Sequence, residues 1–271
     1  MPSKSTATAS QSLHVNGVRL HYEKRGEGAP ILCIHGAGTS AQLWLDAADK
    51  LTALGRVIIY DRRGYGRSER REPPDGTDVA QHADDAAALL DALEATPAVV
   101  IARSYGGEVA TDLALRYPDR VRALVLLEAA PILLLPAAAE WTRAFRDRMR
   151  HVAAESGVDA VGEALIGEIA GEDAWNSLPD EVSRIFTHNG AAVLADLEGE
   201  WLQAEPTALA AIEHPVLLVA ATDSPPVFRE PNEVMADVLP NARLALIGGG
   251  HLIDPAAPEV VSFIEETLHS R

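Results

Sequence analysis

Short apolar runs alternate along the chain with longer segments of helical periodicity. Six runs have the length and composition of buried strands: residues 30–34, 56–60, 98–102, 121–127, 215–220 and 242–247. Asn16-Gly17 indicates a hairpin near the start of the chain. Helical periodicity is found at residues 41–54, 79–94, 105–117 and 258–269. Continuous apolar strands that alternate with helices predict an α/β fold, with a mostly parallel central sheet flanked by helices on both faces.

One long segment breaks this alternation. Residues 131–206 read as helical throughout and contain three of the four tryptophans. A helical block between two sheet strands predicts an inserted cap over the carboxyl edge of the sheet. The predicted organisation is therefore a flexible tail at residues 1–11, a core of residues 12–130 and 207–271, and a helical cap at residues 131–206.

Composition narrows the range of partners. The chain has 271 residues, is 47% hydrophobic and carries a formal net charge of -17. This size suits one sizeable α/β domain with an insertion. The negative charge argues against nucleic acid or an anionic membrane as a partner. No apolar run reaches the roughly 20 residues of a membrane span, and the first ten residues lack the apolar stretch of a signal peptide. We expect a cytoplasmic protein with a small-molecule substrate; oligomeric state is left open.

Ser104 lies at the most informative junction in the sequence. The stretch Ala98-Val99-Val100-Ile101-Ala102-Arg103-Ser104-Tyr105-Gly106-Gly107 runs from an apolar strand through small residues into a helix. This is the sequence pattern of a nucleophile elbow, in which a serine occupies a sharp strand-to-helix turn. The following amide, Tyr105 N–H, would lie at a helix N-terminus, where developing negative charge is stabilised. Ser104 is thus predicted to attack a carbonyl carbon.

Three motifs in this order resemble the α/β-hydrolase fold superfamily: the turn His35-Gly36-Ala37-Gly38, the elbow at Ser104, and Gly248-Gly249-Gly250-His251. The resemblance extends over residues 12–269. The elbow departs from the usual G-x-S-x-G because Ala102 replaces the first glycine, but alanine is small enough to keep the turn tight. The serine argues against epoxide hydrolases and haloalkane dehalogenases, which use an aspartate at this position.

The resemblance implies a catalytic triad. It assigns His251 as the base that removes the Ser104 proton, because a serine hydroxyl is a weak nucleophile without one. The acid is expected to be Asp223, which follows the 215–220 strand and preserves the family order Ser, Asp, His. The alternative acid is Glu128, at the end of the 121–127 strand, where some members carry it.

The same resemblance implies an oxyanion hole and a pocket. The oxyanion would be held by the backbone N–H groups of Tyr105 and Ala37. The cap should select the substrate, and the aromatic residues that could line an apolar pocket are Trp44, Trp141, Phe145, Trp175 and Trp201, with Leu202. Arg103, beside the nucleophile, is expected to pack or form a salt bridge behind the elbow.

No metal or cofactor is expected. Gly64-Tyr65-Gly66-Arg67-Ser68-Glu69 begins like a dinucleotide-binding loop but lacks its third glycine. His82, Asp84 and Asp85 have no partner spacing typical of zinc and suggest a solvated helix face. Cys33 lies in an apolar run and is expected to be an inert core thiol.

The predicted function is therefore a serine hydrolase, of the carboxylesterase or lactonase type, that cleaves a small and largely apolar substrate through an acyl-enzyme on Ser104. A carbon–carbon bond hydrolase of diketones, or a cofactor-free perhydrolase, would use the same residues. A reading from another class is a ligand-binding receptor that retains the fold with slow or no turnover.

Overall fold

The computed structural model describes residues 10–70, 76–129, 136–203 and 205–269. Within these ranges eight strands form one sheet: β1 (Gln11–Val15), β2 (Val18–Arg25), β3 (Pro30–Ile34), β4 (Arg56–Tyr60), β5 (Ala98–Arg103), β6 (Val121–Leu127), β7 (Val216–Ala221) and β8 (Ala242–Ile247). The spatial order is β1-β2-β4-β3-β5-β6-β7-β8. Strands β1 and β2 pair antiparallel, as does β2 with β4, and every later pairing is parallel. The predicted α/β class is confirmed.

The helices of the described residues lie on both faces of this sheet. They are α1 (Leu45–Leu51), α2 (Val79–Ala92), α3 (Tyr105–Arg116), α4 (Pro136–Ser156), α5 (Val161–Ala170), α6 (Asp180–His188), α7 (Gly190–Glu198), α8 (Pro206–Leu209), α9 (Pro226–Val238) and α10 (Pro258–His269). Alternate residues of each strand point to opposite faces. One face packs on α1 and α10, and the other packs on α2, α3 and α9.

Helices α4 to α7 separate β6 from β7, in the segment expected to form a cap. We call residues 136–203 the cap. Its buried side chains, among them Phe145, Leu165 and Phe186, join the same apolar cluster as α2 and α3. The cap therefore packs directly on the core. Most of the expected tail lies outside the described residues, although Gln11 already belongs to β1.

One element was not predicted from the sequence. Helix α9 contains Pro226, in its first turn, and Pro231, inside the helix. Prolines commonly mark turns and loops, so the sequence of this segment favours a loop. Proline is nevertheless compatible with the first turn of a helix, where no N–H is needed.

Along the described chain, no helix combines the length and apolarity required to cross a bilayer.

Candidate active site

The nucleophile elbow is formed as the sequence pattern predicts. Ser104 has φ 51° and ψ −130°, a strained conformation at the junction of β5 and α3. A Cβ on Gly106 would lie 2.6 Å from the carbonyl oxygen of Ile34, and one on Gly107 would overlap the carbonyl of Ala129. Glycine is therefore required at both positions for the helix to start this close to the sheet. The side chain of Ser104 is partly exposed.

Two backbone N–H groups next to Ser104 are available to a ligand. Tyr105 is the first residue of α3, so its N–H has no partner within the helix. The N–H of Ala37, in the turn after β3, donates no hydrogen bond to any described residue. Both residues line the same cavity as Ser104. This arrangement suits an oxyanion hole.

His251 is paired with Glu128. The Nδ1 atom of His251 lies 2.7 Å from Oε2 of Glu128, and each residue is 3% exposed. The same carboxylate accepts hydrogen bonds from the Ser224 hydroxyl (2.6 Å) and the Ala221 N–H (2.8 Å). A carboxylate held by three donors fixes the imidazole orientation. Because this carboxylate engages Nδ1, the other ring nitrogen of His251, Nε2, can accept a proton. Nε2 has no hydrogen-bond partner among the described residues.

The expected pairing of Asp223 with His251 is contradicted. Asp223 lies two residues beyond the end of β7 and is exposed. Its N–H donates to the carbonyl of Gly249, and its carboxylate accepts from the Thr222 hydroxyl at 3.1 Å. The loop after β7 thus supports the His251 loop through its backbone, while its acid points to solvent. The alternative acid, Glu128, occupies the position next to the imidazole.

A mostly apolar cavity lies between the elbow and the cap. Three of the six predicted pocket residues, Trp141, Phe145 and Trp201, line it. Trp141 stacks on Phe145 with ring centroids 5.0 Å apart. The sequence did not identify Phe228 of α9, which also lines the cavity and packs on the His251 ring with centroids 4.4 Å apart. The apolar lining suits a small, largely apolar ligand.

Trp44 is not a pocket wall, in contrast to the prediction. It is 1% exposed and belongs to the apolar cluster on the α1 and α10 face of the sheet, away from the cavity. Its ring lies 5.3 Å from the guanidinium carbon of Arg103, which in turn donates to the carbonyl of Ile253. Burial lowers the pKa of Arg103 to about 10. Arg103 therefore packs behind the elbow as expected, and it also ties the elbow to the loop of His251.

The other two expected pocket residues also lie outside the cavity lining. Trp175 and Leu202 are partly buried and pack against the cluster on the α2 and α3 face of the sheet. Among the described residues, Cys33 is a buried free cysteine, and burial raises its pKa, so it is poorly suited to nucleophilic chemistry.

A buried ionic cluster joins the core to the cap, and one of its members, Asp196, lines the cavity. Arg62, in the loop after β4, donates to Asp196 of α7 at 3.0 Å. Asp196 also accepts from the Tyr65 hydroxyl at 2.7 Å and lies 2.8 Å from Nε2 of His82. Burial disfavours a charged Asp196, but Arg62 and His82 outweigh this and lower its pKa. This cluster was not predicted, because Asp196 lies more than a hundred residues along the chain from each of its three partners.

The loop that carries Ala37 is fixed from both sides. Arg62 donates to the carbonyl oxygens of His35 and Gly36, at 3.1 and 3.3 Å. From the cap, the side-chain amide of Asn189 donates to the carbonyls of Gly38 (3.2 Å) and Thr39 (2.9 Å). The turn that carries the Ala37 N–H is therefore held by contacts from both the core and the cap.

The residues considered for a metal site have other partners. His82 contacts Asp196, Asp85 accepts two hydrogen bonds from Arg63, and Asp84 pairs with Arg116. His82 and Asp85 are buried rather than solvated, in contrast to the prediction, while Asp84 is partly exposed. Each of the two aspartates is matched by a guanidinium.

Comparison with known proteins agrees with the fold. A family model described as alpha/beta hydrolase fold matches residues 29–253. The chain is 30% identical to "Putative carbamate hydrolase RutD" of Caulobacter vibrioides, over 91% of this chain and 95% of that protein. It is 38% identical to the 2-hydroxymuconate semialdehyde hydrolase of Pseudomonas sp. strain CF600, over 43% of this chain and 42% of that enzyme.

Among solved structures, a thermophilic esterase from Thermogutta terrifontis superposes with a TM-score of 0.72 at 27% identity, covering 96% of this chain and 98% of the esterase. The match to the 2-hydroxymuconate semialdehyde hydrolase spans less than half of that enzyme's length. The family model and RutD, in contrast, cover most of this chain. The chain belongs to the alpha/beta hydrolase fold family.

Proposed function

We propose that this protein is a serine hydrolase that cleaves a small, largely apolar carboxylic ester or lactone, with Ser104, His251 and Glu128 as its triad. The observation that carries the proposal is the pairing of His251 with Glu128 (2.7 Å). This pairing leaves Nε2 of His251 without a partner in the described chain. Glu128 and Phe228, which both contact His251, line the cavity together with the strained Ser104 and with Ala37 and Tyr105.

The mechanism follows from this arrangement. Nε2 of His251 accepts the Ser104 proton as the hydroxyl oxygen attacks the carbonyl carbon, and Glu128 stabilises the resulting imidazolium. The tetrahedral oxyanion accepts hydrogen bonds from the N–H groups of Tyr105 and Ala37. His251 then protonates the leaving alcohol. A water molecule, deprotonated by His251, attacks the acyl-enzyme and releases the acid.

The absence of a direct hydrogen bond between Ser104 and His251 is compatible with this mechanism. Neither the Ser104 hydroxyl nor Nε2 of His251 has a partner among the described residues. In enzymes without bound substrate, catalytic hydrogen bonds are commonly long and shorten when the substrate is bound. We expect this contact to form in the substrate complex.

The first experiment is intact-mass labelling with a fluorophosphonate, on the wild type and on Ser104→Ala. A single adduct on the wild type that is absent from the variant is expected. The activated serine would then justify a substrate panel of p-nitrophenyl esters, lactones and carbamates, the last suggested by the similarity to RutD. A folded wild type that forms no adduct and turns over no ester would overturn the proposal in favour of a binding protein.

A second candidate is carbon–carbon bond hydrolysis, favoured by the 38% identity to the 2-hydroxymuconate semialdehyde hydrolase over 124 residues. The same triad would serve, with a carbon leaving group in place of an alcohol. Product analysis with a diketone distinguishes the two reactions, because only this second candidate releases two fragments from a substrate that lacks an ester bond. Adding peroxide and a short acid to the assay tests perhydrolysis in the same way.

A further inference from the structure

Tyr105 lines the cavity and carries two separate hydrogen-bonding groups. Its N–H is a proposed oxyanion donor, whereas its side-chain hydroxyl is buried and has no hydrogen-bond partner among the described residues. The ring is held edge-on by Trp201 (centroids 5.7 Å apart) and by His82 (6.1 Å), and the guanidinium carbon of Arg62 lies 4.9 Å from its centre. The phenol is therefore fixed in place by its neighbours.

A buried hydroxyl without a partner is unfavourable, so a ligand that supplies one gains affinity. Other buried hydroxyls in the described chain also lack partners: those of Tyr60, Thr111 and Thr142. None of these three residues lines the cavity, whereas Tyr105 does. The unmet hydrogen bond of Tyr105 can thus be completed by whatever occupies the cavity, and that of Tyr60 cannot.

The charges around the cavity restrict what this occupant can be. Three carboxylates line it, those of Glu108, Glu128 and Asp196, and the described lining contains no lysine or arginine. Asp196 and Glu128 are held by the contacts described above, and Glu108 accepts from the N–H of Leu202 at 3.0 Å. A carboxylate brought in by a substrate would lie near these like charges, and the described lining offers no lysine or arginine to pair with it.

The phenol of Tyr105 acts as a donor in this environment. Burial raises its pKa well above the ordinary value, and the charge of Asp196 raises it further. The hydroxyl therefore keeps its proton near neutral pH and donates to an acceptor. An uncharged oxygen is the partner that matches a neutral donor in a cavity of negative character.

The position of Tyr105 indicates which part of a substrate it touches. The leaving group must lie near His251, which protonates it, and His251 packs on Phe228. Tyr105 instead packs on Trp201 and His82. The Tyr105 phenol and the His251 imidazole thus have different aromatic neighbours. Because the leaving group lies near His251, we infer that the phenol contacts the acyl part of the substrate.

We propose, on the basis of the proposed ester hydrolysis, that Tyr105 is a specificity-determining residue: its hydroxyl donates to an uncharged oxygen, such as a ketone, ether or hydroxyl, in the acyl part of the substrate. The same cavity rejects acyl groups that end in a carboxylate. The natural substrate is accordingly an oxygen-substituted, uncharged acyl ester or lactone.

The test uses p-nitrophenyl esters with one common leaving group. Three types of acyl chain of equal length are compared: plain alkyl, oxygen-substituted and carboxylate-terminated. In the oxygen-substituted series, the ether or ketone oxygen is placed at each position along the chain in turn. The wild type is expected to favour the best oxygen-substituted ester over the alkyl ester by about tenfold in kcat/KM, the scale of one hydrogen bond. The carboxylate-terminated ester is expected to be the poorest.

Tyr105→Phe keeps the ring and removes only the hydroxyl. The ratio of kcat/KM between the oxygen-substituted and alkyl esters is expected to fall about tenfold in this variant. Tyr60→Phe is the matched control, because its hydroxyl is also buried and unpaired but lies outside the cavity. It should retain the wild-type ratio.

The outcomes separate this proposal from the one on which it rests. If the wild type hydrolyses the alkyl ester in a Ser104-dependent manner but shows no preference for any oxygen position, the role of Tyr105 is overturned and the serine hydrolase remains. If no ester is hydrolysed, the proposed function itself fails. The wild-type preference is measured without any variant, so its absence overturns the role of Tyr105 even if the Tyr105→Phe protein does not fold.

Discussion

Two buried histidine–carboxylate pairs flank the cavity, and they are made from the same kinds of side chain. His251 lies 2.7 Å from Glu128, and His82 lies 2.8 Å from Asp196. All four residues are at most 3% exposed, and both carboxylates line the cavity. Burial and pairing alone therefore do not distinguish a candidate base from a structural contact.

The difference lies in the third neighbour of each pair. Nε2 of His82 contacts Asp196 and also the Arg62 guanidinium, at 2.9 Å, and burial together with this cation lowers the pKa of His82. In the other pair, Glu128 engages Nδ1 of His251 and leaves Nε2 without a partner in the described chain. The Arg62 cation holds the His82–Asp196 pair in a structural role. No such cation contacts Nε2 of His251 in the described chain, so this nitrogen can accept a proton.

Replacement of Glu128 should have the largest effect on activity. In Glu128→Gln the amide can donate to His251 and favour the wrong tautomer, so kcat is expected to fall by about 10³- to 10⁴-fold. Steady-state kinetics on an activated ester measures this loss. The matched control is Asp223→Asn, whose side chain is exposed, and kcat there should stay within about twofold. The reverse result would restore Asp223 as the acid.

Replacement of Asp196 should instead affect stability. Asp196→Asn removes the charge that balances Arg62, which is fully buried. Loss of one partner of a buried ion pair typically costs about 3–5 kcal/mol. Urea denaturation should show a decrease in the free energy of unfolding of this order. Asp84→Asn, which breaks a partly exposed pair with Arg116, should cost at most about 1 kcal/mol. Equal losses in the two variants would contradict a structural role for the Asp196 pair.

Acidification should weaken the side of the cavity that carries Arg62. Burial and the charge of Arg62 lower the pKa of His35 to about 3, whereas an unfolded histidine titrates near 6.5. Between these values the unfolded state binds a proton that the folded state does not. The free energy of unfolding therefore falls, by up to about 1.4 kcal/mol per pH unit for this group, as the pH drops from about 6.5 towards 3.

Denaturation at several pH values measures this slope. His35→Gln should reduce the slope by up to the contribution of one bound proton. His14→Gln, at an exposed position, should leave the slope unchanged. Asp196 contributes in the same direction, but only below the unfolded aspartate value of about 3.9, because its folded pKa is lowered. Identical slopes in the wild type and His35→Gln would disprove the assignment to His35.

The smallest effect is expected from the ring that packs on His251. Phe228→Leu keeps an apolar side chain but removes the aromatic contact, whose centroid distance is 4.4 Å. Such contacts are worth about 0.5–1.5 kcal/mol, so kcat should fall by about tenfold or less. Phe263→Leu, buried under the opposite face of the sheet, is the control and should leave kcat unchanged. A loss as large as that of Glu128→Gln would mean that Phe228 does more than orient the imidazole.

Local sequence patterns were sufficient for most of the fold. The strands β3, β4, β6 and β8 and helix α10 begin and end where the apolar runs and periodicity predict. The elbow could also be predicted from the sequence, because the turn needs the small residues found at positions 102, 106 and 107. These features depend on neighbours in the chain, so the sequence alone reveals them.

The remaining features depend on contacts between distant segments. Asp223 and Glu128 both follow strands at the carboxyl edge of the sheet, and only the loop conformations decide which carboxylate meets His251. Trp44 was assigned to the pocket by its short distance in sequence from the turn after β3, but its 3₁₀ helix (Ala41–Trp44) packs it in the cluster on the α1 and α10 face of the sheet. Arg62 and Asp196 meet across 134 residues of sequence, a contact that no local period encodes.

An inserted segment is often treated as a detachable module, to be trimmed or exchanged when specificity is redesigned. Here the counter-charge for a fully buried core guanidinium, Arg62, is supplied by the cap residue Asp196. A core stripped of its cap would retain an uncompensated cation in its interior, and a transplanted cap would have to provide a carboxylate at the same point. Chimeras of this enzyme should therefore be designed with the Arg62–Asp196 contact as a fixed junction.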